Sequence, residues 1–280
     1  MKKINYLYPH WGSDDLSTLD FFELVKIQGF QGVEINLPKD ETFEKEFLRG
    51  LEKSREQNPN FICVLQQVLP VKLETVEAYI INVLTELERM LPYHPNFINS
   101  HTGKDHFSFK DNCLVIEAIE SFSKQNNIPV YHEIHRGRFT FHSATTLCYL
   151  EKYPQLKLVG DLSHWCVVSE SMLQDQEHIL EKIIPHIKHI HARVGFEQSA
   201  QVNNPFAPEW KSYLNQYLVW WQRIVNVHTA MEAISITPEF GPYPYMPQMP
   251  FNKEPLANQH ELNIGMKNFL ENQLISSKPL

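Results

Sequence analysis

Residues 129–134 read Pro-Val-Tyr-His-Glu-Ile, residues 143–151 Ser-Ala-Thr-Thr-Leu-Cys-Tyr-Leu-Glu, and residues 156–160 Leu-Lys-Leu-Val-Gly. A short β-type run, a helical stretch and a second β-type run make one βαβ unit, the signature of parallel strand pairing. The same alternation extends in both directions. Strands are expected at 4–8, 32–36, 61–66, 97–100, 129–134, 156–160, 187–192 and 233–238. Helical stretches are expected at 18–28, 71–91, 113–123, 143–151, 172–184, 210–227 and 259–275, with Ser143 and Ser169 as cap donors near helix starts. Eight βα units in a chain of 280 residues imply an α/β protein, a (β/α)8 TIM barrel, with residues 1–280 forming a single domain. An open doubly wound sheet is the weaker choice, because the first βα turn has no Gly-x-Gly-x-x-Gly. No nucleotide cofactor is implied.

Composition narrows the function class. With 33 acidic and 25 basic side chains the formal charge is −8. That balance argues against general binding of a nucleic-acid backbone, which needs a basic face. The chain holds 14 histidines against only 10 glycines, and its 42% apolar content is ample for a core. Cys63, Cys113, Cys148 and Cys166 are far apart and form no zinc ribbon or disulfide framework. No run approaches the roughly 20 apolar residues of a membrane span, and the N-terminus does not read as a signal peptide. A soluble, cytoplasmic protein is the expectation. Two long loops, 194–209 and 240–255, follow the last two strands and would overhang the C-terminal mouth of the barrel.

In such a barrel the chemistry sits at the C-terminal strand ends. Strand five ends in His132-Glu133-Ile134-His135-Arg136-Gly137-Arg138 and strand six in Gly160-Asp161-Leu162-Ser163-His164. Strand seven carries His189 and His191, which face one side by the period-two rule, and strand eight ends in Pro238-Glu239-Phe240. Glu133, Asp161, one of the two histidines and Glu239 therefore converge from four successive strands. Three carboxylates that close repel one another unless a cation neutralises them. Oxygen ligands with one imidazole suit one divalent ion: Mn²⁺, Mg²⁺, Co²⁺ or Zn²⁺. Further lining candidates are His10 and Trp11 after strand one, Glu34 on strand two, Gln66 or Gln67 on strand three, His101 on strand four, and Arg193 two residues beyond His191. His135, His142 and His186 read as surface or packing residues, and Trp220 and Trp221 as packing between barrel and helix.

At these residues the chain resembles the xylose isomerase-like TIM-barrel superfamily of sugar isomerases, epimerases, inosose dehydratase and apurinic-site endonucleases. The resemblance rests on Glu133, Asp161-x-x-His164, His189-x-His191 and Glu239. It implies metal ligation by Glu133, Asp161, His191 and Glu239, with Glu133 and Glu239 as the acid/base pair. It also implies that His164 contacts substrate oxygens, and that Arg136 or Arg138 takes the place of the arginine after the first glutamate. The segment after His191, RVGFEQSAQVNNPFAPEW, departs from the epimerase pattern, so substrate identity does not carry over. That segment also lacks the Asp-x-His pair with which the endonucleases complete their zinc cluster, which counts against DNA incision. The resulting expectation is a divalent-metal-dependent isomerase or epimerase of a small sugar, ketose, polyol or hydroxy-keto acid. A metal-dependent lyase of the inosose-dehydratase kind is the alternative, followed by a non-catalytic sugar- or metal-binding barrel or a phosphodiesterase of the apurinic-site-endonuclease kind. A small sugar-like molecule is the expected partner, with no nucleic acid and no membrane; a homo-oligomer is open.

Overall fold

Eight parallel strands close into a barrel in the computed structural model, which describes residues 3–228 and 233–274. The strands are β1 (Ile4–Pro9), β2 (Gly32–Ile35), β3 (Ile62–Gln67), β4 (Phe97–Ser100), β5 (Val130–Glu133), β6 (Leu158–Gly160), β7 (Ile187–His191) and β8 (Ile234–Thr237). Each pairs with its sequence neighbours, and β1 pairs with β8 to complete the ring. The helices are α1 (Thr18–Ile27), α2 (Glu41–Gln57), α3 (Val76–Met90), α4 (Phe109–Asn126), α5 (Ser143–Lys152), α6 (Ser163–Val168), α7 (Glu177–Ile183), α8 (Lys211–Val227) and α9 (Gln259–Gln273). Ser17, Asp40, Thr75, Ser108 and Asn258 cap helix starts with their side chains.

Among the described residues, two separate apolar clusters follow from strand alternation. Leu7, Val64 and Phe97, with Ile62 and Tyr131, fill the inside of the barrel at its N-terminal end. The larger cluster lies between strands and helices and includes Trp220 and Trp221, both fully buried. Residues that share a strand face with the inner plug but lie nearer the mouth are polar: Gln66 beyond Val64, Asn99 beyond Phe97, Glu133 beyond Tyr131.

Several elements differ from the sequence reading. Helix α2 was not anticipated, because its run ETFEKEFLRGLEKSREQ is mostly charged. Its apolar positions Phe43, Phe47, Leu48 and Leu51 nevertheless follow helical spacing, and Phe47 and Leu51 are buried. At Gly50 a Cβ would meet the Phe22 ring at 2.4 Å, so glycine permits the close approach of α1. Residues 71–75, expected as helix, form a loop, with Val71 and Leu73 fully exposed. Ser143 is the first residue of α5, and its hydroxyl donates to Gln176 and does not cap the helix. Ser169 ends α6, and it does not start α7. Ile275, expected at the end of the last helix, lies outside the described residues.

Candidate metal centre

Glu133 ends β5, Asp161 follows β6, His191 ends β7 and Glu239 follows β8. Each offers one ligand atom, and the four atoms lie within 4.8 Å of one another with all four residues buried. His191 Nδ1 is 2.8 Å from Glu239 Oε2. The approach lacks hydrogen-bond geometry, and Nδ1 has no hydrogen-bond partner. An unpartnered buried nitrogen grouped with three carboxylates fits a divalent cation with mixed oxygen and nitrogen ligation, which would take the Nδ1 lone pair once its proton is lost. Glu133 and Glu239 line a cavity of about 440 Å³ at the mouth, whereas Asp161 and His191 are buried and do not line it.

Electrostatics in the cluster follow from burial against neighbouring charge. Burial would favour neutral His191, but the Glu239, Glu34 and Glu133 carboxylates raise its pKa well above the ordinary value. Burial would likewise raise Glu133, yet His101 and His191 hold it far below the usual carboxylate range. Burial raises Asp161 despite the opposing Arg193 charge. His191 and Arg193 are thus the positive charges that balance the carboxylates, with Arg193 ion-paired to Asp161 and 3.7 Å from Glu239.

The remaining expected residues divide into those at the cavity and those elsewhere. His10 and Trp11 line it, and Trp11 packs edge-on against Tyr245 at 5.0 Å between ring centres. A Cβ on Gly241 would lie 2.2 Å from the Trp11 ring, so the 240–255 loop can seat Trp11 only with glycine there. His101 lines the cavity too, with Nε2 3.0 Å from Glu133 Oε2. His164 is fully buried, 3.0 Å from Arg193 Nη2 through Nε2, with Nδ1 unpartnered. Arg136 rests over the Tyr245 ring at 5.1 Å.

Three expectations need correction. Gln67 points away from the barrel axis and accepts a hydrogen bond from Ser100, because the inner face of β3 runs through Val64 and Gln66. Gln66 is the residue at the cavity. Glu34 lies beneath the floor, with both oxygens already accepting hydrogen bonds from other side chains. Arg138 is buried outside the cavity lining. Arg193 reaches the cavity wall, but its guanidinium is held by Asp161 and stacked 4.5 Å from the Tyr245 ring.

His135, read as surface or packing, belongs to the wall. Its ring centre is 4.4 Å from that of His101 and 3.9 Å from that of His164. Burial lowers the pKa of both His135 and His164 well below the ordinary value, which favours the neutral form of these two rings. The signal was present in Glu133-x-His135, whose spacing puts both side chains on one side of an extended chain. The two long loops meet above: Gln201 Nε2 donates to the Gly241 carbonyl at 3.0 Å, and Gly241 N–H donates to Gln201 Oε1 at 2.8 Å.

No protein-family profile matches the chain, and no curated protein sequence does. Solved structures are similar in fold. The probable 3-DHS dehydratase AsbF of Bacillus anthracis is 19% identical with a TM-score of 0.60, over 95% of this chain and 99% of its own. The zinc-bound IolI protein is 12% identical with a TM-score of 0.66, over 98% and 100%. A xylose isomerase-like TIM barrel protein from Mycobacterium smegmatis, in complex with magnesium, is 12% identical with a TM-score of 0.61, over 97% and 98%. The chain thus shares the (β/α)8 barrel fold of these proteins, xylose isomerase-like barrels among them.

Proposed function

We propose that the protein is a divalent-metal-dependent isomerase or epimerase acting on a small, hydroxyl-rich carbonyl compound. One observation carries this reading: of four clustered candidate ligands, only Glu133 and Glu239 also face the cavity. A divalent cation bound by Glu133, Asp161, His191 and Glu239 supplies Lewis-acid polarisation of adjacent carbonyl and hydroxyl oxygens. The protein's own contribution is proton transfer and orientation. One of the two glutamates removes the proton next to the carbonyl, and the other returns it to the same or the adjacent carbon. His101 steadies the Glu133 carboxylate through their hydrogen bond. The apolar flanks of Trp11, Leu37 and Tyr245 enclose the carbon skeleton and limit water.

A water-eliminating lyase uses the same proton abstraction with a hydroxyl as leaving group. The likeness to AsbF, a probable dehydratase by name, makes this the second reading. The two separate by product mass, which isomerisation conserves and dehydration lowers by one water.

The test is solvent-deuterium incorporation by Mn²⁺-loaded protein across a panel of ketoses, polyol ketones and hydroxy-keto acids. Glu133→Gln and Glu239→Gln should each cut turnover by about 10²–10⁴-fold in folded protein. Unchanged metal content and turnover in both variants would sink the proposal.

A further inference from the structure

Beneath the cavity floor lies a second layer of polar side chains, with Glu34 of β2 at its centre. Glu34 Oε1 accepts from His191 Nε2 at 3.0 Å, from Asn99 Nδ2 at 3.1 Å and from Gln66 Nε2 at 3.2 Å. Oε2 accepts from His189 Nε2 at 3.0 Å and from the Thr237 hydroxyl. The two amides do not stop at Glu34. Asn99 Nδ2 also donates to Glu133 Oε2 at 2.6 Å, and Gln66 Nε2 donates to Glu239 Oε1 at 3.0 Å. An amide nitrogen carries two hydrogens, so each serves Glu34 and one mouth-facing glutamate together. Three of the four candidate ligands are thereby tied to a single buried carboxylate: His191 directly, Glu133 through Asn99, Glu239 through Gln66.

We infer that Glu34 is the positioning residue of this centre. By accepting the Nε2 hydrogen of His191, it holds the tautomer whose Nδ1 lone pair faces the enclosed space. By anchoring both amides, it sets which oxygens Glu133 and Glu239 present. A histidine ligand backed by a carboxylate is oriented and made more basic, and losing such a partner costs about 10–100-fold in metal affinity. Here one carboxylate orients three ligands from three different strands, so its loss should misalign the set and not only one member. Glutamine at position 34 cannot substitute. Its amide nitrogen would face donors that now meet a carboxylate oxygen.

This inference rests on the metal reading of the site, and its test needs no substrate. Co²⁺ is titrated into the purified protein by calorimetry and visible absorption, with circular dichroism as the folding control. Wild type is expected to bind one ion. Glu34→Gln should weaken Co²⁺ binding by about 10–100-fold at unchanged stoichiometry, with an altered absorption spectrum. Gln66→Ala and Asn99→Ala, which each cut one link, should weaken binding less and change the spectrum; they decide the matter if Glu34→Gln does not fold. Co²⁺ affinity within about twofold of wild type and an unchanged spectrum in all folded variants would overturn the inference and leave the metal reading standing. Loss of one bound ion from a wild-type stoichiometry of two would also overturn it, since Glu34, His189 and His191 would then be ligands themselves. A wild-type protein that binds no Co²⁺ overturns the metal reading and this inference together.

Discussion

His191 shows how a single side chain can carry both the charge balance and the ligand field of a site. The Glu239, Glu34 and Glu133 carboxylates outweigh burial and raise its pKa well above the ordinary value, which favours the doubly protonated imidazole in the ion-free protein. A metal ion must displace the Nδ1 proton. Metal uptake near pH 7 should therefore release a proton, and affinity should climb with pH until the raised pKa of His191 is passed. Calorimetry in buffers of different ionisation enthalpy measures that proton; a buffer-independent heat would contradict it. At this scale legibility was uneven. Glu133, Asp161, His191 and Glu239 could be found because strand ends in a parallel barrel face its mouth. Gln66 and Gln67 could not be separated, because strand boundaries shift by a residue and one residue of shift reverses the face. The role of Glu34 was hidden altogether, since its partners His191, Asn99 and Gln66 come from three other strands.

Among the elements, α2 is the instructive omission. Its charged sequence hides a narrow apolar stripe, yet Phe47 is fully buried against Phe22 and Tyr93. Phe47→Ala should cost about 3–5 kcal/mol in chemical denaturation, a value that a merely solvated surface helix would not show. The strands were easier to recognise, because short β-branched and aromatic runs recur at βα intervals. The 71–75 segment was assigned to the helix because the stripe of Val76, Ile80, Val83, Leu84 and Leu87 fixes the helix but not its start, which Thr75 sets by capping it with its side chain. The loops over the mouth were visible as long and aromatic, but not their mutual clasp. Gln201→Ala removes both of its hydrogen bonds to Gly241. We expect faster proteolysis within residues 194–255 and a raised KM, with kcat changed far less. A proteolysis pattern identical to wild type would show that the loops hold together without the clasp.

Across the whole molecule, the closed barrel was legible because nothing but alternation and length is needed to predict it, and TM-scores of 0.60 to 0.66 to solved barrels agree. The same closure gathers Glu34, Glu133, Asp161 and Glu239 near one axis, a repulsive arrangement with Arg193 and protonated His191 as its internal counterweights. An added cation bound only by the folded state should therefore stabilise it, by about 2.7 kcal/mol at a free concentration 100 times Kd. Thermal melts with Mn²⁺, Co²⁺ or Zn²⁺ against a chelator-treated sample measure this; identical Tm values would mean that no ion prefers the native state.

The apolar plug of Leu7, Val64 and Phe97 at the opposite end of the barrel also governs traffic. With that end filled, no passage runs down the barrel axis there, and on the proposed function a ligand would have to come and go on the side of the mouth that Trp11 and Tyr245 help to line. Arrival of one substrate molecule and departure of the previous product would then share that side of the barrel, so accumulated product would slow the entry of the next substrate.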